Sequence, residues 1–255
     1  MMPSDHCTTS GRPNDRIQNI KLRITTMKNI SNLASIVAAL ILAGLPAQAA
    51  TYTDATGDFT GGPAALDLTS VTVNNDATTL TFTLNLAGDP TPANWYSYFI
   101  GISENLYGGV GGNLNGSGGW GKDIQMSTGG MDYFVGGYPA FSGYSLLTWG
   151  GSAWTSTSGA ASQDISSVTL SMNLSSLGLS AGNSFTFDVW TSTSGADTVL
   201  DALSDNAARS WNSTPFNTGA NALTYTVEPV PEPATWTLLG LGALVMTRRL
   251  IRRTV

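Results

Sequence analysis

Acidic residues at short spacing are the first candidates for metal chemistry in this sequence. Asp54 and Asp58 flank Gly57 in a D-x-x-G-D turn, and Asp201 belongs to a later run in which aspartate recurs every fourth residue. Calcium is a hard cation that takes roughly six to eight oxygen ligands, often from acidic turns of this kind. We therefore predict a structural calcium site at Asp54, Asp58 and Asp201. Aspartate also forms turns and helix caps without a metal, so that alternative stays open.

Tryptophans provide a second set of candidates, for binding sugars. Trp120 lies in the glycine-rich segment 106–121, and Trp154 ends a Trp-Gly-Gly-x-x-Trp run that begins at Trp149. An aromatic ring buries the apolar face of a pyranose while polar groups around it fix the orientation. We predict that Trp120 and Trp154 are exposed stacking residues. Trp190 follows an alternating strand pattern and is expected in the core.

The single histidine and the single cysteine of the chain, His6 and Cys7, both stand within the first 26 residues. The rest of the sequence therefore lacks a Ser-His-Asp triad, a cysteine nucleophile and the usual zinc ligands. It also lacks a disulfide framework, so an exported domain of this composition must be held together by its core.

A glycosidase needs two carboxylates about 5–10 Å apart, one of them in an apolar pocket. None of the acidic residues stands in an apolar sequence context that marks an acid with a raised pKa. We therefore predict that the protein is not an enzyme. A glycoside hydrolase with a carboxylate pair is kept as the least favoured alternative.

The charge balance limits the partners. Between residues 50 and 230 there are 14 acidic residues against two basic ones, Lys122 and Arg209, which gives a net charge of −12, compared with −6 for the whole chain. So acidic a region repels phosphate backbones, and nucleic acid is excluded as a partner. Divalent cations and neutral polysaccharides are compatible with it.

A targeting segment precedes this acidic region. Lys28 is followed by an apolar run from Ile36 to Leu45 and then by Ala47-Gln48-Ala49. This order predicts a secretory signal peptide over residues 27–49, cut after Ala49. Residues 1–26 show no apolar periodicity and are expected to be an unfolded leader. They are either a long positive n-region or a stretch upstream of a true start at Met27, and we favour the second.

A second targeting segment fills residues 229–255. Pro231-Glu232-Pro233 is followed directly by an apolar stretch over 234–246 and by a basic end over 248–253 that carries four arginines. This order resembles the PEP-CTERM sorting signal. The resemblance implies recognition by an exosortase, a membrane protease–transpeptidase that cuts near the motif in exopolysaccharide-producing bacteria. It therefore predicts export to the cell surface or extracellular matrix of a Gram-negative bacterium.

The length of the apolar stretch in the tail agrees with temporary insertion. The 13 positions of 234–246 reach only about 20 Å as a helix, against a hydrocarbon core of about 30 Å. Arginines at its end favour the cytoplasmic side. We expect a short transmembrane helix that anchors the chain in the inner membrane until it is cut. A permanent single-span anchor is the alternative.

The region between the two targeting segments has the pattern of antiparallel strands. Apolar and polar residues alternate over 79–86, 167–174 and 184–189, which is typical of strands with one buried face. Further strands are predicted at 66–73, 95–102, 131–136, 144–149 and 222–227. We predict an all-β fold, an antiparallel jelly-roll-like β-sandwich over 50–228, flanked by an N-terminal signal helix and the C-terminal transmembrane helix. Residues 50–228 are called the ectodomain below.

The ectodomain shows a second, more diffuse resemblance. Its opening, Tyr52 to Asp58, the strand pattern from Leu66 to Val73 and the run from Trp149 to Trp154 are similar to segments of DOMON-like and family 9 carbohydrate-binding-module-like sandwiches. Haem-binding members of the wider group use histidine or methionine ligands. Because the ectodomain has no histidine, we predict no haem and no cofactor other than structural calcium.

These observations lead to one function and two alternatives. We predict a non-catalytic surface or extracellular-matrix protein, sorted by an exosortase, whose ectodomain is structural or adhesive. The first alternative is a glycan-binding module that takes extracellular polysaccharide. The second is the glycoside hydrolase considered above.

Overall fold

A computed structural model of the 255-residue chain describes residues 49–104, 122–126, 130–137, 144–194, 199–211 and 216–230, together with Gly240 and Gly242. The chain divides into two compact units. One comprises Ala47–Val230, and the other comprises Met1–Pro46 with Pro231–Val255. Nearly all of the described residues belong to the first unit, and the account of the fold concerns that unit.

Thirteen strands make up this unit within the described residues. They are β1 (Ala50–Thr53), β2 (Leu68–Asn75), β3 (Thr79–Leu86), β4 (Tyr96–Ser103), β5 (Ile124–Gln125), β6 (Tyr133–Gly137), β7 (Tyr144–Trp149), β8 (Trp154–Gln163), β9 (Ser167–Asn173), β10 (Ser184–Thr193), β11 (Asp201–Ala202), β12 (Phe216–Asn217) and β13 (Leu223–Thr226). Three short 3₁₀ helices interrupt them, at Ala64–Leu66, Leu174–Leu177 and Gly219–Asn221.

The strands form one large antiparallel sheet. Its order is β1-β2-β3-β9-β8-β7-β6-β4-β10-β11, and β13 also pairs with β10. The remaining two strands, β5 and β12, pair with each other in parallel. The prediction of an all-β, antiparallel fold is therefore confirmed, whereas the jelly-roll-like sandwich stays a prediction.

The sheet curls until its two halves face each other. β3 and β10 are six places apart in the strand order, yet the rings of Phe82 and Phe187 lie 5.4 Å apart, edge to face. Tyr52 of β1 also meets Phe187, at 5.0 Å. The alternation read from the sequence of β3 is observed, because Leu80, Phe82, Leu84 and Leu86 are all buried while their neighbours are partly exposed. This inner face is the main core.

A second, smaller core lies on another face of the strands around β10. It contains Phe99, Phe134 and the fully buried Trp190, as the sequence pattern predicted for that tryptophan. Ile124 of β5 and Phe216 of β12 belong to the same cluster. The short parallel pair of β5 and β12 therefore covers a face of the sheet that would otherwise be exposed to solvent.

Alternating strands were located well from the sequence, and a polar strand was missed. The predicted 79–86 and 144–149 coincide with β3 and β7, and the other predicted strands overlap β2, β4, β6, β9, β10 and β13. By contrast β8, with the sequence WTSTSGAASQ, has no apolar alternation, and most of its side chains are exposed. It is held by backbone pairing with β7 on one side and β9 on the other. Such a strand leaves no periodic signal.

Gly159 of β8 allows a tyrosine ring to cross the strand. It pairs directly with Tyr144 of β7, and a Cβ atom at position 159 would overlap the Tyr144 ring. That ring is 5% exposed and its hydroxyl donates to the carbonyl of Ser171 in β9. The ring therefore bridges three strands where β8 supplies few apolar contacts.

The predicted helices fall almost entirely outside the described residues. The signal helix at 27–49 is described only at Ala49, and the tail helix at 234–246 only at Gly240 and Gly242. Within the part of the chain that the structure describes, no helix has the length and apolar character needed to cross a membrane.

We predict that Gly159→Ala destabilises the ectodomain by about 1–3 kcal/mol, the usual cost of overpacking a buried site. The ring of Tyr144 cannot move aside without losing its hydrogen bond to Ser171. Chemical denaturation followed by tryptophan fluorescence measures the change. Gly150→Ala is the matched control, because a Cβ there meets only the Ala153 carbonyl, at an ordinary 3.5 Å. Equal stability of the two variants would contradict this account.

Candidate metal centre

The first wall of the site is the turn that follows β1. The N–H of Asp54 donates to the carbonyl of Thr69 at 3.0 Å, which holds the start of the turn against β2. Gly57 has a φ of 90°, a conformation that favours glycine. Its N–H donates to both carboxylate oxygens of Asp67, at 3.1 and 2.8 Å. The D-x-x-G-D turn is therefore fixed at both ends.

The second wall is β11, which adds Asp201 to the edge of β10. One oxygen of Asp201 accepts the N–H of Leu68 at 2.6 Å, and the other accepts the N–H of Ala202 at 2.7 Å. The register of β2 against β3 shifts between Leu68 and Ser70, so the backbone bulges there. The carboxylate of Asp201 thus connects β11 to the irregular start of β2.

A short backbone ladder connects the two walls directly. The N–H of Arg209 donates to the carbonyl of Asp58 at 2.7 Å, and the N–H of Thr60 donates to the carbonyl of Arg209 at 2.8 Å. The guanidinium of Arg209 is directed to Asp205, at 2.7 Å. Its charge is therefore paired with a carboxylate outside the turn of Asp54 and Asp58.

Three carboxylates converge between these walls. Asp54, Asp58 and Asp201 each offer an oxygen, and these oxygens lie within 4.8 Å of one another. Asp201 is 1% exposed and Asp58 is 8% exposed. Among the described residues, the Oδ2 atom of Asp54 and both carboxylate oxygens of Asp58 accept no well-aligned hydrogen bond, although the N–H groups of Asp58 and Phe59 lie near the Asp58 carboxylate and oppose the rise of its pKa. The structure thus brings together the three residues predicted as metal ligands, while metal binding itself stays a prediction.

Burial and like charges raise the pKa of each of the three carboxyls. Desolvation, with the charges of Asp58, Asp188 and Asp67, raises the pKa of Asp54 to about 7. Desolvation, with the charges of Asp54 and Asp58, raises the pKa of Asp201 to about 8, although two N–H groups oppose the shift. Burial and the Asp67 charge raise the pKa of Asp58 as well. Two charges 5 Å apart repel by about 3 kcal/mol at an effective dielectric constant of 20.

The sequence analysis missed the other perturbed acids. Asp188 of β10 is fully buried, and its carboxylate accepts hydrogen bonds from Ser204 and Thr218, each at 2.6 Å. Burial raises the pKa of Asp188 to about 6. Burial and the charge of Asp132 raise the pKa of Glu104 to about 7. Asp188 occupies one position of an alternating strand pattern. The sequence gives no sign that Ser204 and Thr218, which lie in later segments, enclose its carboxylate.

The two predicted sugar-stacking tryptophans have different outcomes. Trp120 lies outside the described residues. Trp154 is half-buried, and its ring lies 5.2 Å from Trp149 and 6.4 Å from Phe134, so it packs against the smaller core. Its exposure is intermediate, and its role as a sugar contact stays a prediction.

A different aromatic group does reach the surface. Trp211 is 41% exposed, and its indole N–H donates to the carbonyl of Gly61 at 2.6 Å. Its ring lies 6.0 Å from Trp95 and 5.5 Å from Phe59. We call Trp95 and Trp211 the tryptophan pair. Phe59 follows Asp58 in the chain, so the Phe59–Trp211 contact links the tryptophan pair to the turn that carries Asp58, a connection that sequence spacing does not reveal.

We predict that the metal-free ectodomain becomes more stable when the pH falls from about 8 to about 6. The folded domain holds a proton on Asp54 up to about pH 7, whereas the unfolded chain releases it near 3.8. Between these values the folded state binds more protons, so stability is lost as the pH rises. A single carboxyl contributes up to about 1.4 kcal/mol per pH unit. Urea denaturation in a chelator measures the slope.

Asp54→Asn tests the origin of that slope. Asparagine keeps the acceptor for the Ala55 N–H, bound at 2.9 Å, and removes the charge. The variant should have a flatter pH dependence and higher stability at about pH 8. Asp76→Asn is the control, since Asp76 is exposed and lies beyond the opposite end of β2. A slope that Asp54→Asn and Asp76→Asn change equally would contradict the assignment.

The sorting motif, Pro231, Glu232 and Pro233, lies outside the described residues, and the comparison with known proteins bears on it. Residues 229–253 match the PEP-CTERM protein-sorting motif. No curated protein shows significant sequence similarity to the chain. The motif indicates an exported, cell-surface-directed bacterial protein that an exosortase system sorts and processes.

Proposed function

We propose that the ectodomain is a non-catalytic structural or adhesive module of the cell surface or extracellular matrix. The observation that carries this proposal is the order of the chain. The last strand, β13, ends at Thr226, and the sorting motif begins at residue 229. A folded β-domain is thus followed almost directly by the signal through which an exosortase presents it outside the cell.

The carboxylate geometry supports a non-catalytic role. The oxygens of Asp54, Asp58 and Asp201 lie within 4.8 Å of one another, an arrangement in which all three can share one cation. Asp58 and Asp201 are also buried, so a polymer chain does not reach their carboxylates. Burial and repulsion between like charges raise the pKa of these carboxyls. Because the carboxyls are buried, we infer that they do not reach a bond of a polymeric substrate.

The two targeting segments complete the proposal, because they give the route of export. Residues 27–49 direct secretion and are removed, and residues 234–246 hold the chain in the inner membrane of a Gram-negative host until the exosortase cuts near Pro231-Glu232-Pro233. We further propose that the curled sheet is a jelly-roll-like sandwich of the DOMON-like or family 9 carbohydrate-binding-module-like kind. The antiparallel pairing and the contact of β3 with β10 support this.

A second candidate function is glycan binding, and the tryptophan pair favours it. Trp211 is held by its bond to Gly61 with much of its ring exposed, so stacking a sugar on it costs little side-chain entropy. The net charge of −12 over residues 50–230, from 14 acidic and two basic residues, favours a neutral polysaccharide. Trp120 stays a predicted contact for the same ligand.

We expect the mature exported protein to begin at or near Ala50 and to lack residues beyond the Pro-Glu-Pro region. Replacement of Pro231, Glu232 and Pro233 by alanine should leave the ectodomain folded and its tail intact, because the protease loses its recognition motif. Mass spectrometry of the membrane and released fractions measures both ends. Recovery of an intact basic end, 248–253, from the released wild-type protein would contradict the proposal.

For glycan binding, we expect Trp211→Ala to weaken retention on the host's neutral exopolysaccharide about tenfold or more, since truncating a tryptophan that anchors a partner typically costs about 2 kcal/mol or more. Retention should survive about 1 M salt, where charge interactions are screened within about 3 Å. Affinity electrophoresis provides the measurement. Ile165→Ala is the matched control, because Ile165 is 75% exposed but has no aromatic ring. Loss of retention in salt, with no effect of Trp211→Ala, would remove the second candidate and leave the structural role.

A further inference from the structure

We propose that Asp54, Asp58 and Asp201 bind one Ca²⁺ ion, which fastens the turn after β1 to β11. The inference concerns the ectodomain alone and does not depend on its adhesive or glycan-binding role. Nothing in the sorting motif implies a metal.

The spacing of the oxygens suits calcium. Ca²⁺ binds oxygen at about 2.3–2.6 Å, so two of its ligand atoms lie at most about 5 Å apart. The three carboxylates satisfy this limit, since their oxygens lie within 4.8 Å of one another. One ion at the centre reaches all three without rearranging the backbone. Water and backbone carbonyls complete a shell of about six to eight oxygens.

Asp58 provides the observation that separates a binding site from a mere acidic cluster. Its side chain is 8% exposed, and neither of its carboxylate oxygens accepts a well-aligned hydrogen bond among the described residues, although the N–H groups of Asp58 and Phe59 and the carboxyl of Asp201 lie near enough to oppose the rise of its pKa. The Oδ2 atom of Asp54 is also buried and accepts no well-aligned hydrogen bond among the described residues. Burying an unpaired carboxylate costs several kcal/mol, and a cation at the centre removes that cost. The oxygens of Asp201, by contrast, are oriented by the N–H groups of Leu68 and Ala202.

Charge points to a divalent cation in place of a lysine or arginine. Arg209 lies next to Asp58 through its backbone, but its guanidinium contacts Asp205 at 2.7 Å and covers the ring of Phe216 at 4.4 Å. Oxygen is the only donor element that the three side chains offer, which suits calcium and magnesium better than softer metals. Calcium is preferred because it tolerates irregular geometry, whereas magnesium requires a near-octahedral shell at about 2.0–2.1 Å.

The ion joins segments that are distant in sequence. Asp54 and Asp58 belong to the turn after the first strand, and Asp201 lies more than half the chain away, in β11. Among the described residues, the turn is otherwise connected to the segment after β11 by the backbone bonds of Asp58 and Thr60 with Arg209, by the 3.2 Å bond from Ala55 to Asn206 and by the bond from Trp211 to Gly61. The metal therefore has the role that a disulfide has in other exported domains, in an ectodomain that contains no cysteine.

The test is thermal unfolding of the exported protein in a chelator and during titration with CaCl₂. A hundredfold excess of calcium over its dissociation constant should raise the Tm by about 5–10 °C for a domain of this size. Asp54→Asn should have opposite effects on the Tm without and with calcium, because it relieves repulsion between carboxylates in the chelator and removes a calcium ligand. Its Tm at about pH 8 should exceed that of the wild type without calcium, and calcium should no longer raise it.

Asp58→Asn and Asp76→Asn complete the design. Asp58→Asn should also lose the calcium response, whereas the control Asp76→Asn, at the other end of β2, should keep it in full. Equilibrium dialysis should find one calcium per chain in the wild type and none in the two ligand variants. A wild-type Tm that calcium leaves unchanged, or a response that both ligand variants retain, overturns the site. A larger response to MgCl₂ than to CaCl₂ overturns the choice of metal.

Discussion

Packing of β3 against β10 closes the sheet on itself, and every other feature of the ectodomain depends on that closure. Phe82 and Phe187 meet at 5.4 Å across the interior although six pairings separate their strands. The ectodomain contains no cysteine, so burial of apolar surface is what keeps the two halves together. Because the halves meet, the turn after β1 is brought beside β11 at the rim, where the three carboxylates converge.

The carboxylate site and the core place opposite demands on the same fold. The core gains free energy from each apolar side chain that it buries, whereas Asp58 and Asp201 are buried against their preference for water. Hydrogen bonds from Leu68 and Ala202 offset part of that cost for Asp201. Among the described residues, Asp58 has only poorly aligned donors. The Ca²⁺ ion proposed above would offset the remaining cost.

Strands that bury one face could be predicted from the sequence, and contacts between distant segments could not. The alternation of Leu80, Phe82 and Leu84 locates β3 because burial imposes period two, but β8 carries no apolar face and left no signal. The grouping of Asp54 with Asp58 followed from a local turn motif, and Asp201 was added on residue type alone. Trp154 was expected on the surface because it follows a turn. Its partial burial results from contact with Phe134. The position of Phe134 depends on the order of the strands in the sheet, which composition does not encode.

Asn75, at the end of β2, fastens the C-terminal end of the ectodomain to the sheet. Its side chain accepts the N–H of Glu228 at 2.9 Å and donates to the Glu228 carbonyl at 3.0 Å, while Tyr225 donates to it at 2.8 Å. Glu228 immediately precedes the sorting motif, so tension on a tethered tail enters the domain at this residue. The pull is shared between β2, through Asn75, and β10, through its ladder with β13. A pull on the C-terminal end of the ectodomain is therefore carried by two strands of the sheet together, and β13 alone does not bear it.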